Sequence, residues 1–330
     1  MPTPNLFLVG APKCGTTSMY QWLRQHPQVY MSPRKEPFFF ATDLDSGSEQ
    51  DGLIFERSEA EYRRLFDGVR SETAIGEAST CYLFSEVAAE RIKAYSPDAR
   101  ILIMLRDPVE MAQAHHAHSV AAGSEDIEDF AEALAAEPDR IAGRRIPKGT
   151  WYEKSLRYRQ VCTFTPQVRR FLDAFGRDRV HLIIFEDLRK DPRAVYRSTL
   201  EFLGVDPDFK PQLERANPHK RVRSKALRSF LRSTTLHRIG KKILPRPVLK
   251  AIRPFTDRIY RLNASVEPRE QLEPSMEAEL RRYFAPDVAA LSQLIGRDLV
   301  SLWRGGRAAP ASPSAPSAPT TPTARAGDVT

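Results

Sequence analysis

Nine consecutive residues, Gly10-Ala11-Pro12-Lys13-Cys14-Gly15-Thr16-Thr17-Ser18, form the chain's densest group of potential anion ligands. A loop bounded by glycines brings backbone N–H groups close to a bound group, and a following helix adds its own N-terminal amides. Lys13 supplies a cation and Thr16, Thr17 and Ser18 supply hydroxyls. Together these hold a phosphate. The Walker A loop, G-x-x-x-x-G-K-[ST], places a lysine after its second glycine to reach the β- and γ-phosphates. Here the glycine spacing is kept, but Thr16 occupies that lysine's position and Lys13 lies inside the loop. Such a loop can grip a 5′-phosphate but lacks the usual hold on a triphosphate. A second cation, Arg106, ends the apolar run Ile101–Leu105, at the strand end where open α/β sheets place their ligands.

These residues need elements to position them. Leu6-Phe7-Leu8-Val9 reads as a buried strand, and Met19, Trp22 and Leu23 within Ser18–His26 have helical spacing, closed by His26-Pro27. Further strands are expected at Thr73–Glu77, Ile101–Leu105 and Val180–Phe185. The expected helices cover Glu59–Phe66, Ser85–Tyr95, Ile127–Ala136 and Pro192–Leu203, with another starting at Pro108. Trp151–Phe175 carries a long amphipathic pattern with a break near Pro166, and Glu277–Trp303 reads as a helical pair broken at Ala285-Pro286-Asp287. Strands alternating with helices predict a parallel α/β sheet.

K-x-G-T-[ST] after a first strand, followed by a helix and His-Pro, resembles the 5′-phosphosulfate loop of sulfotransferases that use 3′-phosphoadenosine 5′-phosphosulfate (PAPS). Lys35-Glu36-Pro37-Phe38-Phe39-Phe40 is similar to the K-E-P-x-F-F element of the heparan sulfate branch and its bacterial relatives. The resemblance implies a single P-loop-like α/β domain over residues 1–304, with helices on both faces of the sheet and a helical C-terminal part. It assigns residues 10–18 to the 5′-phosphosulfate, with Gly10, Lys13, Cys14, Gly15, Thr16, Thr17 and Ser18 as binding residues. Lys13 would neutralise the bridging oxygen as the bond breaks, and Glu36 would be the general base. A free glutamate titrates near 4.3, so burial beside Phe38–Phe40 is expected to raise Glu36. No metal is required.

By the same resemblance residues 106–119 form a 3′-phosphate element, opened by Arg106-Asp107-Pro108. The family's serine eight positions after the arginine is Ala114 here. His115, His116, His118 and Ser119 are candidate replacements, as are Arg221 and Arg223 in a late N-x-x-x-x-x-R-S stretch. Helical spacing puts His115 and His118 on one side, with no carboxylate or cysteine nearby to complete a zinc site. Glu77-Ala78-Ser79-Thr80 stands where animal relatives have E-K-T-P, so the lysine of that element is absent. Ser79 and Thr80 are read either as helix caps or as ligand contacts.

Hydrophobic residues make up 41% and charged residues 28% of the 330, which is a soluble globular composition. Three cysteines with no CxxC pair suit a reducing compartment. With no leader-like start and no run long enough to span a bilayer, the expectation is a cytoplasmic protein of bacterial type. The net charge of +8 is concentrated in residues 215–261, with 15 Lys/Arg against one Asp. That basic helical segment is a candidate for peripheral membrane contact. Sparse aromatics and no matching module argue against nucleic acid. Residues 305–330, rich in Ala, Pro, Ser and Thr, read as a disordered tail. The implied partner is a hydroxyl or amine acceptor, a carbohydrate, glycolipid or small metabolite, contacted by the loops 42–58 and 123–150. The competing readings are a P-loop kinase and a basic surface-binding protein.

Overall fold

The computed structural model describes residues 2–47, 55–148, 150, 152–213 and 271–304, and the backbone of 220–222 and 264–266. Five strands, β1 (Leu6–Gly10), β2 (Val29–Met31), β3 (Ala74–Ala78), β4 (Arg100–Leu105) and β5 (Val180–Ile184), form one sheet in the order β2-β3-β1-β4-β5. Every pairing is parallel, with Leu8 opposite both Ala78 and Leu102. β1 is buried throughout and β4 is buried from Ile101 onward, as expected of strands covered on both faces. β2 was not anticipated. Its three residues, between two Pro-containing turns, are too few to show a strand period.

Most predicted helices form with shifted or trimmed ends: α1 (Thr16–Leu23), α2 (Glu59–Arg64), α3 (Ala88–Tyr95), α4 (Pro108–Ala122) and α5 (Phe130–Ala135). The trimming follows capping. Asp129 accepts from the Glu132 amide and starts α5 at Phe130, three residues later than the apolar pattern suggests. A short α6 (Glu137–Ile141) follows, inside the stretch read as a loop.

The 151–175 pattern is three pieces: a 3₁₀ turn (Glu153–Leu156), α7 (Tyr158–Val161) and α8 (Thr165–Phe175). The break falls at 162–164 and Pro166 lies in the first turn of α8, where a missing N–H costs nothing. After α9 (Phe185–Lys190) and α10 (Pro192–Leu203), two short strands, β6 (Lys220–Val222) and β7 (Ala264–Val266), pair antiparallel. The chain ends its described part with α11 (Pro274–Ile295) and α12 (Leu299–Arg304).

The predicted break at Ala285-Pro286-Asp287 is absent, and Pro286 lies inside α11. An interior proline costs about 3 kcal/mol, offset here by long-range capping. The Asp287 carboxylate accepts from the Phe164 and Thr165 amides, and the Thr165 hydroxyl donates to the Asp287 carbonyl. The turn comes instead at Gly296, whose φ is +71°. No helix of the described residues is long and apolar enough to cross a membrane.

Candidate active site

The C-terminal ends of the three central strands bring the predicted residues to one edge of the sheet. β1 runs into the loop 10–15, β3 into Ser79-Thr80, and β4 into Arg106. The first two interlock through backbone bonds: Ser79 N–H to the Leu8 carbonyl (3.1 Å) and Leu83 N–H to the Val9 carbonyl (2.8 Å). The Ala11 N–H donates to the Met104 carbonyl (2.7 Å), tying the loop to β4. A Cβ at Gly10 would lie 2.5 Å from the Leu83 Cβ and 3.0 Å from the Thr80 carbonyl oxygen. Only glycine permits that approach.

Gly15 caps α1 at φ +89°, and no side chain takes up the cap position's hydrogen bonds. The amides of Thr16, Thr17 and Ser18 are first-turn donors with no acceptor inside the helix, the kind of N-terminus that suits an anion. Gly15→Ala forces a left-handed alanine and puts a Cβ 2.8 Å from the Leu188 Cδ2. The strain is about 1–2 kcal/mol. A melting temperature lower by a few degrees, with weaker binding of a phosphate ligand, is the expected result in a thermal scan and a titration. A melting temperature and an affinity equal to wild type would show that the loop does not depend on this geometry.

Lys13 also adopts a left-handed conformation, φ +64°. A bulky residue held there at a loop tip is the kind of strain found at functional sites. Cys14 differs from expectation. Its thiol is fully buried against the Met111 sulfur (3.7 Å) and the Pro12 carbonyl (3.4 Å), and burial pushes its titration far up. Only its backbone amide remains to face a ligand. Thr16 is buried, whereas Thr17 and Ser18 are partly exposed.

Glu36 is held from two sides. Its Oε2 accepts from the Thr80 amide (2.6 Å) and hydroxyl (2.8 Å), and its Oε1 pairs with the Lys35 ammonium at 3.0 Å. Its side chain keeps 18% exposure, so the carboxylate is sheltered but reachable. The phenylalanines after it anchor the segment. Phe39 stacks on Tyr62 (centroids 4.3 Å apart), and Phe40 packs edge-on to Phe7, Tyr62, Tyr82 and Tyr95.

Neither Ser79 nor Thr80 caps a helix, and Ser79 is fully buried. Thr80 carries Glu36. The Ser79 hydroxyl donates to Glu77 Oε2 (2.8 Å) and accepts from the Phe38 amide (3.2 Å). Glu77 is fully buried and also accepts at Oε1 from Tyr82 (2.7 Å) and Tyr62 (3.2 Å). Burial pushes its carboxyl up to about 7, against the lowering effect of those three hydrogen bonds. The sequence offered Glu77 only as a motif letter. Nothing in its neighbours' spacing marks it as a buried hub.

Arg106 is nearly buried at the end of β4, stacked over Phe185 at 4.6 Å and ion-paired with Glu110. One of its nitrogens lies 3.5 Å from the Lys13 carbonyl, at the outer limit of a hydrogen bond. To meet a phosphate it must share Glu110's place. Asp107 caps α4 by accepting from Val109 and Glu110, and Arg281 of α11 pairs with its other oxygen (3.2 Å). The C-terminal helices therefore brace the Arg106 turn.

The histidines fall differently from their helical spacing. His115 and His116 are both buried on α4 and bound to the Ser155 and Ile127 carbonyls (2.9 Å each), while His118 is exposed. Burial lowers His115 to about 4 and His116 below its ordinary value, so both are neutral. Neutral rings already bound to carbonyls are poor substitutes for the hydroxyl missing at Ala114. Ser119 is buried as well. Among the described residues no three His, Cys, Asp or Glu side chains converge as metal ligands. Arg221 lies in β6 opposite Ser265. Arg223, most of the basic segment 215–261, and the tail 305–330 lie outside the described residues.

Residues 4–210 match the model of the "Sulfotransferase family". Carbohydrate sulfotransferase 15 of Homo sapiens is 24% identical over 248 residues, covering 62% of this chain and 44% of that protein. Heparan sulfate glucosamine 3-O-sulfotransferase 3B1 of Mus musculus is 25% identical over 207 residues, covering 61% of this chain and 46% of that protein. The chain thus spans less than half the length of these curated relatives. The crystal structure of a sulfotransferase from Alicyclobacillus acidocaldarius is 36% identical, with a TM-score of 0.70 over 92% of this chain and all of that one.

Proposed function

The chain belongs to the sulfotransferase family, and from that premise we propose that it transfers a sulfuryl group from PAPS to a hydroxyl or amine of a carbohydrate, glycolipid or small-metabolite acceptor. One observation carries the reading. Gly10, which opens the anion loop, abuts Thr80, and Thr80 holds the Glu36 carboxylate. A phosphate-gripping loop and a sheltered base thus share one edge of the sheet.

The residues fit a 5′-phosphosulfate. The α1 amides and the 10–18 backbone grip the 5′-phosphate, and Gly15 lets the loop pack against Leu188 and Phe185. Glu36 takes the proton from the acceptor as its oxygen or nitrogen bonds to sulfur. The bridging S–O bond breaks in the same step, its electron pair goes to the 5′-phosphate oxygen, and Lys13 neutralises the charge that develops there. Arg106 meets the 3′-phosphate, and Arg221 and Arg223 are assigned to the same group. Positioning and preorganised charge supply the acceleration, and no metal takes part.

Calorimetric titration with 3′-phosphoadenosine 5′-phosphate, ATP and ADP, with and without Mg²⁺, tests the assignment. Metal-independent binding of the bisphosphate, with ATP weak, is the expected outcome and justifies an acceptor screen. Preference for ATP with Mg²⁺ would replace this reading with a kinase.

A further inference from the structure

Glu77 stands out as a buried carboxylate without an ion-pair partner among the described residues, held by two tyrosines and Ser79. Burying a carboxylate with no cation beside it is costly even when it is hydrogen-bonded, so its retention needs a reason. Glu77 reaches the segment that carries Glu36 through Ser79, beside a second grip at Thr80. Ser79 holds the Phe38 amide, and Thr80 holds the Glu36 carboxylate.

Phe38 needs such a grip. Its φ is +57°, a left-handed conformation that is unfavourable for a bulky residue and persists only where surroundings over-determine it. Its ring is one corner of an aromatic triangle with Phe55 and Tyr152, with centroids 5.4 and 6.5 Å away. The Ser79 hydroxyl fixes its amide, and hydrogen-bond direction matters here. Ser79 has one proton, given to Glu77 Oε2, which leaves its lone pairs for the Phe38 N–H. Glutamine at 77 would turn an NH₂ toward Ser79 or toward the tyrosines. In either case a fully buried donor loses its acceptor.

We infer that Glu77 is a positioning residue: through Ser79 it clamps the left-handed turn at Phe38, and so sets where the Glu36 carboxylate points. The inference rests on Glu36 being the base. Glu77 touches no substrate itself; it acts through the clamp.

Hydrogen exchange and kinetics on full-length Glu77→Gln and the milder Ser79→Ala test this. Amides in a peptide covering 33–41 should exchange at least about tenfold faster, the effect of losing one buried hydrogen bond. Peptides covering 10–18 and 101–105 should be unchanged. The Kd for 3′-phosphoadenosine 5′-phosphate should stay within about twofold of wild type, while kcat falls by about tenfold or more. Unchanged exchange in 33–41 overturns the inference, as does faster exchange with kcat intact. Faster exchange spread through 10–18 and 101–105 also overturns it, because it would make Glu77 a general core residue. A wild-type protein that binds no bisphosphate removes the proposed function instead, and the exchange comparison alone then decides the clamp.

Discussion

Glu36→Gln should lower kcat by about three orders of magnitude, within the range for loss of a positioned general base, and leave the Kd for 3′-phosphoadenosine 5′-phosphate within about twofold. The split follows from the geometry. Glutamine is nearly isosteric, and its oxygen can still accept from the Thr80 amide and hydroxyl that hold Glu36 Oε2. Only the Lys35 side is disturbed, where an NH₂ replaces the oxygen 3.0 Å from the ammonium. The fold and the 10–18 loop are therefore preserved, and the lost function is proton removal. Glu36→Asp separates basicity from reach. It keeps the carboxylate but is one methylene short, so Thr80 and the acceptor cannot both be served, and its kcat falls between the two. Single-turnover transfer of labelled sulfuryl to an acceptor from the screen measures all three proteins. A Glu36→Gln enzyme that keeps kcat, or that loses affinity and rate together, would take the base role from this residue.

What could be read in the sequence was local. Gly10 and Gly15 declared the loop by their spacing after an apolar strand, and Gly15 also answers a local demand, a left-handed cap on α1. Ile101–Leu105 declared itself as a strand by being apolar at every position. What could not be read was set by distant partners. Asp287 reaches α8 and lets Pro286 sit inside a helix that the local rule would break. Two consecutive histidines on α4 are both buried because elements pack around more than one side of that helix, which helical spacing alone does not tell. Ser79 carried two plausible local roles and has neither. Its role is a bridge between residues 38 and 77, 39 positions apart, which no window along the chain contains. The loop and strand ends that carry the proposed reactive residues were therefore legible, and the residues packed around them were not.

Lys13→Met should cost the most after Glu36, about 10²- to 10³-fold in kcat, the usual effect of removing one group aimed at developing charge. The argument turns on when the charge is needed. In the bound donor the bridging oxygen carries little charge, and in the proposed site the grip on the 5′-phosphate comes from the backbone amides of the loop and α1, which the substitution leaves in place. As the S–O bond breaks, that oxygen becomes an anion, and a cation beside it stabilises the transition state more than the ground state. The Kd for 3′-phosphoadenosine 5′-phosphate should therefore weaken only a few-fold. Methionine removes the charge but retains an unbranched stem at φ +64°, so the local strain is similar in both proteins. Lys13→Arg should recover little. A planar guanidinium is wider than an ammonium and spreads its charge over a fork, and Arg106 already lies beside the Lys13 carbonyl. If affinity and kcat fall by the same factor, Lys13 binds the ground state and another group meets the leaving oxygen. If Lys13→Arg matches wild type, only net positive charge at this point of the loop matters, and the position of the ammonium does not.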